Sequence, residues 1–416
     1  MARTEAAADR ATLVAKQGRD NLAAASVIAS HSLQHICTNG FYIILPAIYA
    51  TLGLTPVTAG AMEAVRRISS GAATMGGGLL VDQLQHRRIL ILYLSLTTMG
   101  FGYLLVGLAP TYLLILLAMG LAGAAGSIWH PAAMSLLSQR YPERRGLLIS
   151  LHRSSGNVGD TVGPIGVGAL LGILAWQGIL YSAFPIAIVL VLLLWLILRR
   201  VPGWQATQAQ SSVQRPIREQ LSALKKLFKG KGLVVLLLVA GVSGLDQGGL
   251  LLWLPLYLQE TQGMDSIGQG IHVSLLTGVG IATGPLIGAL SDRIGRRSVI
   301  VLVLASKTGV AVLMALVGSG LGLTLLVAIM GAFMFGVNAL VQVAALDLAE
   351  GQRLEGSLIG LLWGNNALFV GAAPVLVGLL VASLGYPVLF WYIAAMNALA
   401  FLVSLMLPAM RGRATG

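Results

Sequence analysis

Charge is scarce in this chain. Of its 416 residues only 10% are Asp, Glu, Lys or Arg, against about 25% in a typical soluble domain, and 56% are hydrophobic. No water-soluble core could hide that much apolar surface, so lipid must be the solvent for most of the chain. Cysteine is all but absent. Cys37 stands alone, which excludes an intrachain disulfide and a cysteine-based metal cluster. Acidic residues number 15 against 27 lysines and arginines, a net charge of +12. A nucleic-acid surface would need those basic groups on one face. They are spread from end to end, so nucleic acid is not an expected partner. The polar first 20 residues lack the short apolar run and cleavage site of a signal peptide. There is no nucleophile–base cluster and no phosphate-binding glycine loop, so neither an enzyme nor a bound cofactor is expected.

What is present is long apolar runs. A spanning helix needs about 20 mainly apolar residues. Twelve stretches qualify, at roughly 22–50, 58–82, 89–108, 111–139, 147–172, 177–198, 233–258, 267–291, 298–318, 321–347, 357–381 and 387–408. The faintest breaks are "LAPTY" and "GSGLG". An even number of spans puts both ends on one side. With that side in the cytoplasm, 23 of the 27 lysines and arginines fall in the tails and cytoplasmic loops, and none falls in the opposite loops. This is the positive-inside bias, and it accounts for the net charge. The expectation is a multi-pass protein integral to the cell (inner) membrane, both termini cytoplasmic and monomeric, with the bilayer as its partner. Arg66, Arg67, Arg153 and Lys307 remain, all inside spans.

The chain repeats itself with an offset of 210 residues. Gly78, Asp82 and Arg87 match Gly288, Asp292 and Arg297; Gly126, Gly146 and Pro164 match Gly336, Gly356 and Pro374. The expected fold is therefore an all-α membrane protein, twelve transmembrane helices in two pseudo-symmetric six-helix halves, residues 1–200 and 233–416. Such an architecture belongs to transporters, with the substrate site between the halves near the midplane. Residues 201–232 join the halves. Ile217, Leu221, Leu224 and Phe228 recur there at helical spacing among basic residues, which fits either a helix on the inner leaflet or a solvated linker.

"GALSDRIGRR", Gly288 to Arg297, resembles the loop motif between the second and third helices of a half in the major facilitator superfamily. The resemblance implies a gating role for Gly288, Asp292, Arg293, Gly295, Arg296 and Arg297. The first copy, "GLLVDQLQHRR", keeps Gly78, Asp82 and Arg87, with Gln83, Gln85 and His86 where the family usually has basic, Gly and Arg. "GDTVGPIGVG" is similar to the fifth-helix motif of the superfamily's antiporters, which singles out Gly159, Gly163, Pro164, Gly166 and Gly168 and implies that the glycine stripe of this helix meets the eighth helix. "SHSLQH", "GSIWHPA" and "SSGNVGDTVGP" resemble the fosmidomycin-resistance subgroup of efflux proteins. That implies proton-driven export of a small compound or drug, anions among the candidates.

An ionisable group within a span costs at least ~2.5 kcal/mol, so it faces a cavity or a partner. In the fifth span Arg153, Asn157, Asp160 and Pro164 form one helical stripe, with Gly156, Gly159, Gly163 and Gly166 in an adjacent one. In the first, His31, His35, Thr38 and Tyr42 form another. Two histidines four residues apart can hold a metal, but no acidic or cysteine ligand is near in sequence and none is expected; they read as proton carriers or as hydrogen-bonded cavity wall. Asp246, with no basic neighbour within a turn, reads as a proton-loading carboxylate or as one half of a pair with an arginine from the other half. In "GAMEAVRRISSG", Glu63 can pair with Arg66 or Arg67, which leaves one arginine to hold an anion bidentately. The alternative is a salt bridge in the outer vestibule, since Glu63 lies only about 8 Å into the span. Lys307, on a helix the resemblance places at the periphery, can reach for the membrane surface.

These expectations converge on a secondary transporter that works by alternating access, most simply a proton-coupled antiporter. Arg66, Arg67, Arg153, Asn157, Tyr42, Trp253, Tyr257 and Asn338 are its expected substrate contacts. Asp160, Asp246, His31, His35 and Glu63 are the expected proton-coupling groups. The rivals are a proton-coupled importer on the same scaffold and a membrane receptor or assembly partner that does not transport.

Overall fold

The structure, a computed structural model, describes residues 2–201, 225, 228, 230–348 and 355–409, with residues 2–16 and a few helix positions, Gly78 and Asp82 among them, by backbone alone. Most of the 201–232 connection, with its expected amphipathic helix, lies outside the described residues. The helices are α1 (Ala2–Leu52), α2 (Pro56–Gln83), α3 (Arg88–Leu108), α4 (Tyr112–Arg140), α5 (Arg145–Leu171), α6 (Trp176–Leu198), α7 (Lys231–Gln262), α8 (Ser266–Ile294), α9 (Arg296–Val317), α10 (Gly320–Met334), α11 (Gly336–Leu348), α12 (Glu355–Leu384) and α13 (Val388–Ser404). The tenth expected span is thus two helices, α10 and α11, parted at Phe335, so the thirteen form twelve rods. The first span also reaches further than its apolar stretch. At 1.5 Å per residue the 51 residues of α1 are about 76 Å long, well beyond a hydrocarbon core of ~30 Å.

Local chemistry sets the breaks. Thr55 and Thr58 form a capping box at the start of α2, and the Asp265 carboxylate accepts from the Gly268 N–H, 2.7 Å, at the start of α8. The "GSGLG" break holds because Gly318 and Gly320 take φ of +67° and +68°, values that side chains rarely adopt. Among the described residues nine helical rods are long and apolar enough to cross a membrane. The three that fall short are α2, with Glu63, Arg66 and Arg67; α5, with Arg153 and Asp160; and α13, which is 17 residues long. Large apolar side chains stand exposed on the outside, Leu113 and Leu117 on α4 and Leu313 and Leu316 on α9 among them. Such a surface suits a hydrocarbon solvent.

Packing repeats between the halves. In the first half α1 packs on α5, α2 on α4, and α3 on α4 and α6; in the second α7 packs on α12, α8 on α10, and α9 on α10 and α13. The halves meet mainly through α2 with α12 and α5 with α8. Away from the termini, glycines let the backbones touch. A Cβ on Gly60 would strike the Pro374 carbonyl, and one on Gly270 the Pro164 carbonyl. Likewise Gly378 abuts the carbonyl of Pro56, and Gly168 that of Ser266. Every residue in the first contact of each pair is 210 positions from its counterpart in the second. The side away from the termini is therefore closed by one contact pattern used twice.

Candidate functional site

Between the halves lies a cavity of about 580 Å³, within the usual range for a small-molecule site. It runs from the middle of the helices toward the terminal side. Arg67, Ser70 and Thr74 of α2, His130 of α4, Arg153 and Asn157 of α5, Gln247 of α7, Asn338 and Gln342 of α11, and Trp363 and Asn366 of α12 line it. Arg67 and Arg153 are its charged lining residues apart from histidine, and no acidic side chain lines it among the described residues.

Arg67 reaches the cavity from a tight cluster. Arg66 clasps Glu63 with two bonds, Nε to Oε2 at 2.7 Å and Nη2 to Oε1 at 2.5 Å. Arg67 Nε donates to the same Oε1 at 2.7 Å, and the Tyr42 hydroxyl donates to it at 2.8 Å. Glu63 and Arg66 are 2% and 4% exposed, which places the cluster in the interior and not in an outer vestibule. One carboxylate against two guanidiniums leaves a net positive charge, and Arg67, partly exposed, carries it to the cavity wall. Across the cavity Arg153 Nη2 donates to Gln342 Oε1 at 3.3 Å, and its guanidinium lies 6.0 Å from the Trp363 ring. Asn338 donates to Gln247 at 3.1 Å.

The two histidines of the α1 stripe face α5, whereas Tyr42 of the same stripe turns to α2. His35 Nδ1 is 2.7 Å from Asp160 Oδ1, and since a carboxylate accepts, the imidazole donates. The Asp160 carbonyl accepts from Thr277 of α8 at 3.0 Å, so this α1–α5 pair lies beside the α5–α8 contact between the halves. His31 stacks on His152 with ring centroids 3.8 Å apart, and lies 4.9 Å from His130. Sequence reading placed His31 and His35 here and missed His130 and His152. They come from other helices, and no spacing along the chain joins them.

The glycine stripe of α5 departs from its expected partner, although Pro164 and Gly168 of the same motif do meet α8. Gly156, Gly159 and Gly163 press on His31, Ser32, His35 and Ile36 of α1, and Gly166 has nothing within 4 Å of its would-be Cβ. Contact with α8 comes instead through Thr161, Pro164 and Gly168. The reason is rotational: along α5 the smooth stripe points into the first half, and the edge next to it points across.

The remaining expected residues lie off the cavity lining. Asp246 is 1% exposed and bonds to Lys307, so its partner comes from α9 of its own half, and Lys307 turns inward instead of reaching for the membrane surface. Trp253 Nε1 donates to the Pro374 carbonyl at 3.0 Å, and Tyr257 donates to the Gly318 carbonyl at 2.7 Å. In the loop motif Arg296 binds Asp292 at 2.5 Å, Ser291 at 2.5 Å and Asp347 at 3.3 Å, and Arg297 donates to the Leu405 carbonyl at 2.9 Å. All of these partners belong to the second half. Gly295 takes φ +93° at the turn between α8 and α9, Arg293 is exposed, and Gly288 has open space around it. Arg87 is exposed; the surroundings of Gly78 and the side chain of Asp82 lie outside the described residues.

Two helical lobes around a cavity that carries two arginines, with large leucines exposed outside, have the build of a membrane transporter for small substrates. The chain belongs to the major facilitator superfamily, whose family model matches residues 27–369. It is 30% identical to a probable 4-methylmuconolactone transporter of Cupriavidus pinatubonensis over 74% of this chain and 70% of that protein. It is 22% identical to the fosmidomycin resistance protein of Escherichia coli over 66% and 67%. Among solved structures it is similar to the nucleoside transporter NupG, with TM-score 0.77, 14% identity, and 92% and 98% of the chains covered. It is also similar to a bacterial homologue of the lysosomal transporter Spinster in an inward-facing, unoccupied conformation, with TM-score 0.75, 14% identity, and 94% and 98% covered.

Proposed function

We propose that the protein exports a small anionic compound from the cytoplasm in exchange for protons, by alternating access, with both termini on the cytoplasmic side. The observation that carries this reading is the charge of the cavity: Arg67 and Arg153 line it with no acidic lining residue among those described. In a low-dielectric cleft a guanidinium pair favours an anion, and arginine holds a carboxylate or phosphonate in two bonds. The terminal-side position of the cavity corresponds to the cytoplasm-facing state. Proton coupling is assigned to Asp160 and His35. Their bond joins α1 to α5, and the backbone carbonyl of the same Asp160 accepts from Thr277 of α8, so a proton gained or lost there acts beside the α5–α8 contact, which must rearrange when access alternates. The names of two relatives suggest probes: fosmidomycin, a phosphonate, and 4-methylmuconolactone, which carries a carboxylate.

The test is counterflow and gradient-driven flux of these two labelled compounds in proteoliposomes of fixed orientation. The wild type is expected to move at least one of them against its gradient when a proton gradient is imposed, and to stop when a protonophore collapses it. Arg67→Gln is expected to weaken apparent affinity by about tenfold or more, the loss of one charge-assisted contact. Asp160→Asn is expected to keep counterflow and lose gradient-driven flux. Flux indifferent to the protonophore would defeat the coupling, and an Arg67→Gln, Arg153→Gln double variant with unchanged affinity would defeat the anion site.

A further inference from the structure

We infer that His31, His130 and His152 form a binding site for a divalent transition-metal ion of the zinc class in the wall of the cavity. The three side chains come from α1, α4 and α5, and one nitrogen of each lies within 4.8 Å of the others. His31 and His152 are 4% and 1% exposed. His130 is half-buried and lines the cavity, which gives an ion a way in.

Hydrogen bonding fixes what His31 offers. Its Nδ1 lies 2.6 Å from the His152 carbonyl oxygen, and a carbonyl only accepts. Nδ1 therefore carries the hydrogen, and in the neutral ring Nε2 holds a lone pair. That Nε2 is buried and has no partner, and neither ring nitrogen of His152 has one. Three unpartnered polar nitrogens gathered in one buried place are exceptional, because buried polar groups are nearly always bonded. A backbone carbonyl that takes the far N–H of a ligating imidazole is the usual support of a metal-bound histidine, since it sets the tautomer and the ring direction. Imidazole donors without thiolate or carboxylate in the set suit zinc, copper or nickel. The carboxylate of Asp160, held on His35 at 2.7 Å, supplies negative charge beside the cluster; the His35 ring is 4.4 Å from that of His31.

Binding requires some movement. With metal–nitrogen bonds of about 2.0–2.1 Å in a tetrahedral set, ligand nitrogens end about 3.3 Å apart. His152 must also leave its stack on His31, where the two planes meet at only 11°. Its ring has no hydrogen bond to hold it there. Gly156 keeps the space free: a Cβ at that position would lie 2.6 Å from His31 Cε1. Three imidazoles leave a fourth position for water or for an anionic oxygen from the cavity. Only that last feature rests on the anion-carrier reading; the site itself does not.

The probe is Co²⁺, which takes zinc sites and shows intense visible bands when tetrahedral. Protein purified through a tag without histidine is titrated in nanodiscs, and bound metal is counted after desalting. About one equivalent per chain is expected, displaced by Zn²⁺, with Zn²⁺ raising the melting temperature and a chelator reversing the rise. His130→Gln and His152→Gln are expected to weaken binding at least about tenfold, and His272→Gln, on α8 in the other half, to leave it unchanged. Should His152→Gln fail to purify as a single species, His130→Gln at the cavity edge and the wild-type melting shift decide. No bound metal on the wild type would overturn the site and mean that water fills the space. Equal binding by His130→Gln and the wild type would overturn it as well. The readout is metal content, so failure here is separate from failure of transport.

Discussion

Lys307 and Asp246 are each 1% exposed and bonded to one another, with Asp246 Oδ1 left without a partner. Removing one partner of a buried ion pair strands the other charge and typically costs about 3–5 kcal/mol, whereas replacing both by apolar groups is often neutral or stabilising. Asp246→Leu and Lys307→Met are therefore each expected to lower the melting temperature clearly in detergent. The double variant Asp246→Leu, Lys307→Met is expected to recover most of that loss. Additive losses in this double-mutant cycle would show that the two groups act independently. Other residues were open to reading from the sequence. Glu63, Arg66 and Arg67 pair as their i, i+3 and i, i+4 spacing requires, because those positions share a helix face. The Asp246–Lys307 pair spans 61 residues and joins two helices, so no local spacing announces it. The same holds for the three-histidine cluster, whose members are contributed by α1, α4 and α5.

Among the elements, α5 works on two edges at once. Its glycine stripe lets α1 approach closely, which sets His31 and His35 against His152 and Asp160; its other edge meets α8 of the second half. Small-to-large changes in close packing cost about 1–3 kcal/mol. Gly159→Ala places a methyl against the Ser32 carbonyl and the His35 side chain, whereas Gly166→Ala meets nothing within 4 Å. The first is expected to reduce thermal stability and the yield of monodisperse protein, and the second to leave both near the wild type. Equal behaviour of the two would mean that the α1–α5 approach is not limiting. The periodicity of α5 showed that its polar and glycine stripes lie side by side. It could not show which neighbour takes which stripe, because the direction of a helix face is settled by tertiary packing. For the same reason the spans themselves were legible from apolar length, but the break at Phe335 was not: the apolar run passes through it, and Gly336 beside it is one of 52 glycines.

At the scale of the whole molecule, the 210-residue repeat is a rule of contact as well as of sequence. Gly60 meets Pro374 as Gly270 meets Pro164, and Gly378 meets Pro56 as Gly168 meets Ser266. The prolines and motif residues made the repeat visible in the sequence. The glycine counterparts are hidden among 52 glycines and become distinct only once the helices are placed. All four contacts join one half to the other on the side away from the termini, and the cavity lies toward the terminal side. Because small residues alone permit this backbone approach, a Cβ at two symmetry-related positions should weaken the closed side without touching the cavity. In a Cys37→Ser background, Gly60→Ala with Gly270→Ala is expected to move the population toward the state open on the far side. A reporter, Ser70→Cys on the cavity wall, should then react more slowly with a membrane-impermeant thiol reagent added from the terminal side and faster with one added from the other. The control is Gly178→Ala, on α6 with nothing within 4 Å of its would-be Cβ, and it should leave both rates alone. If the double variant labels like its parent from both sides, the paired glycine contacts do not hold the far side shut, and closure must come from the side chains of α2, α5, α8 and α12.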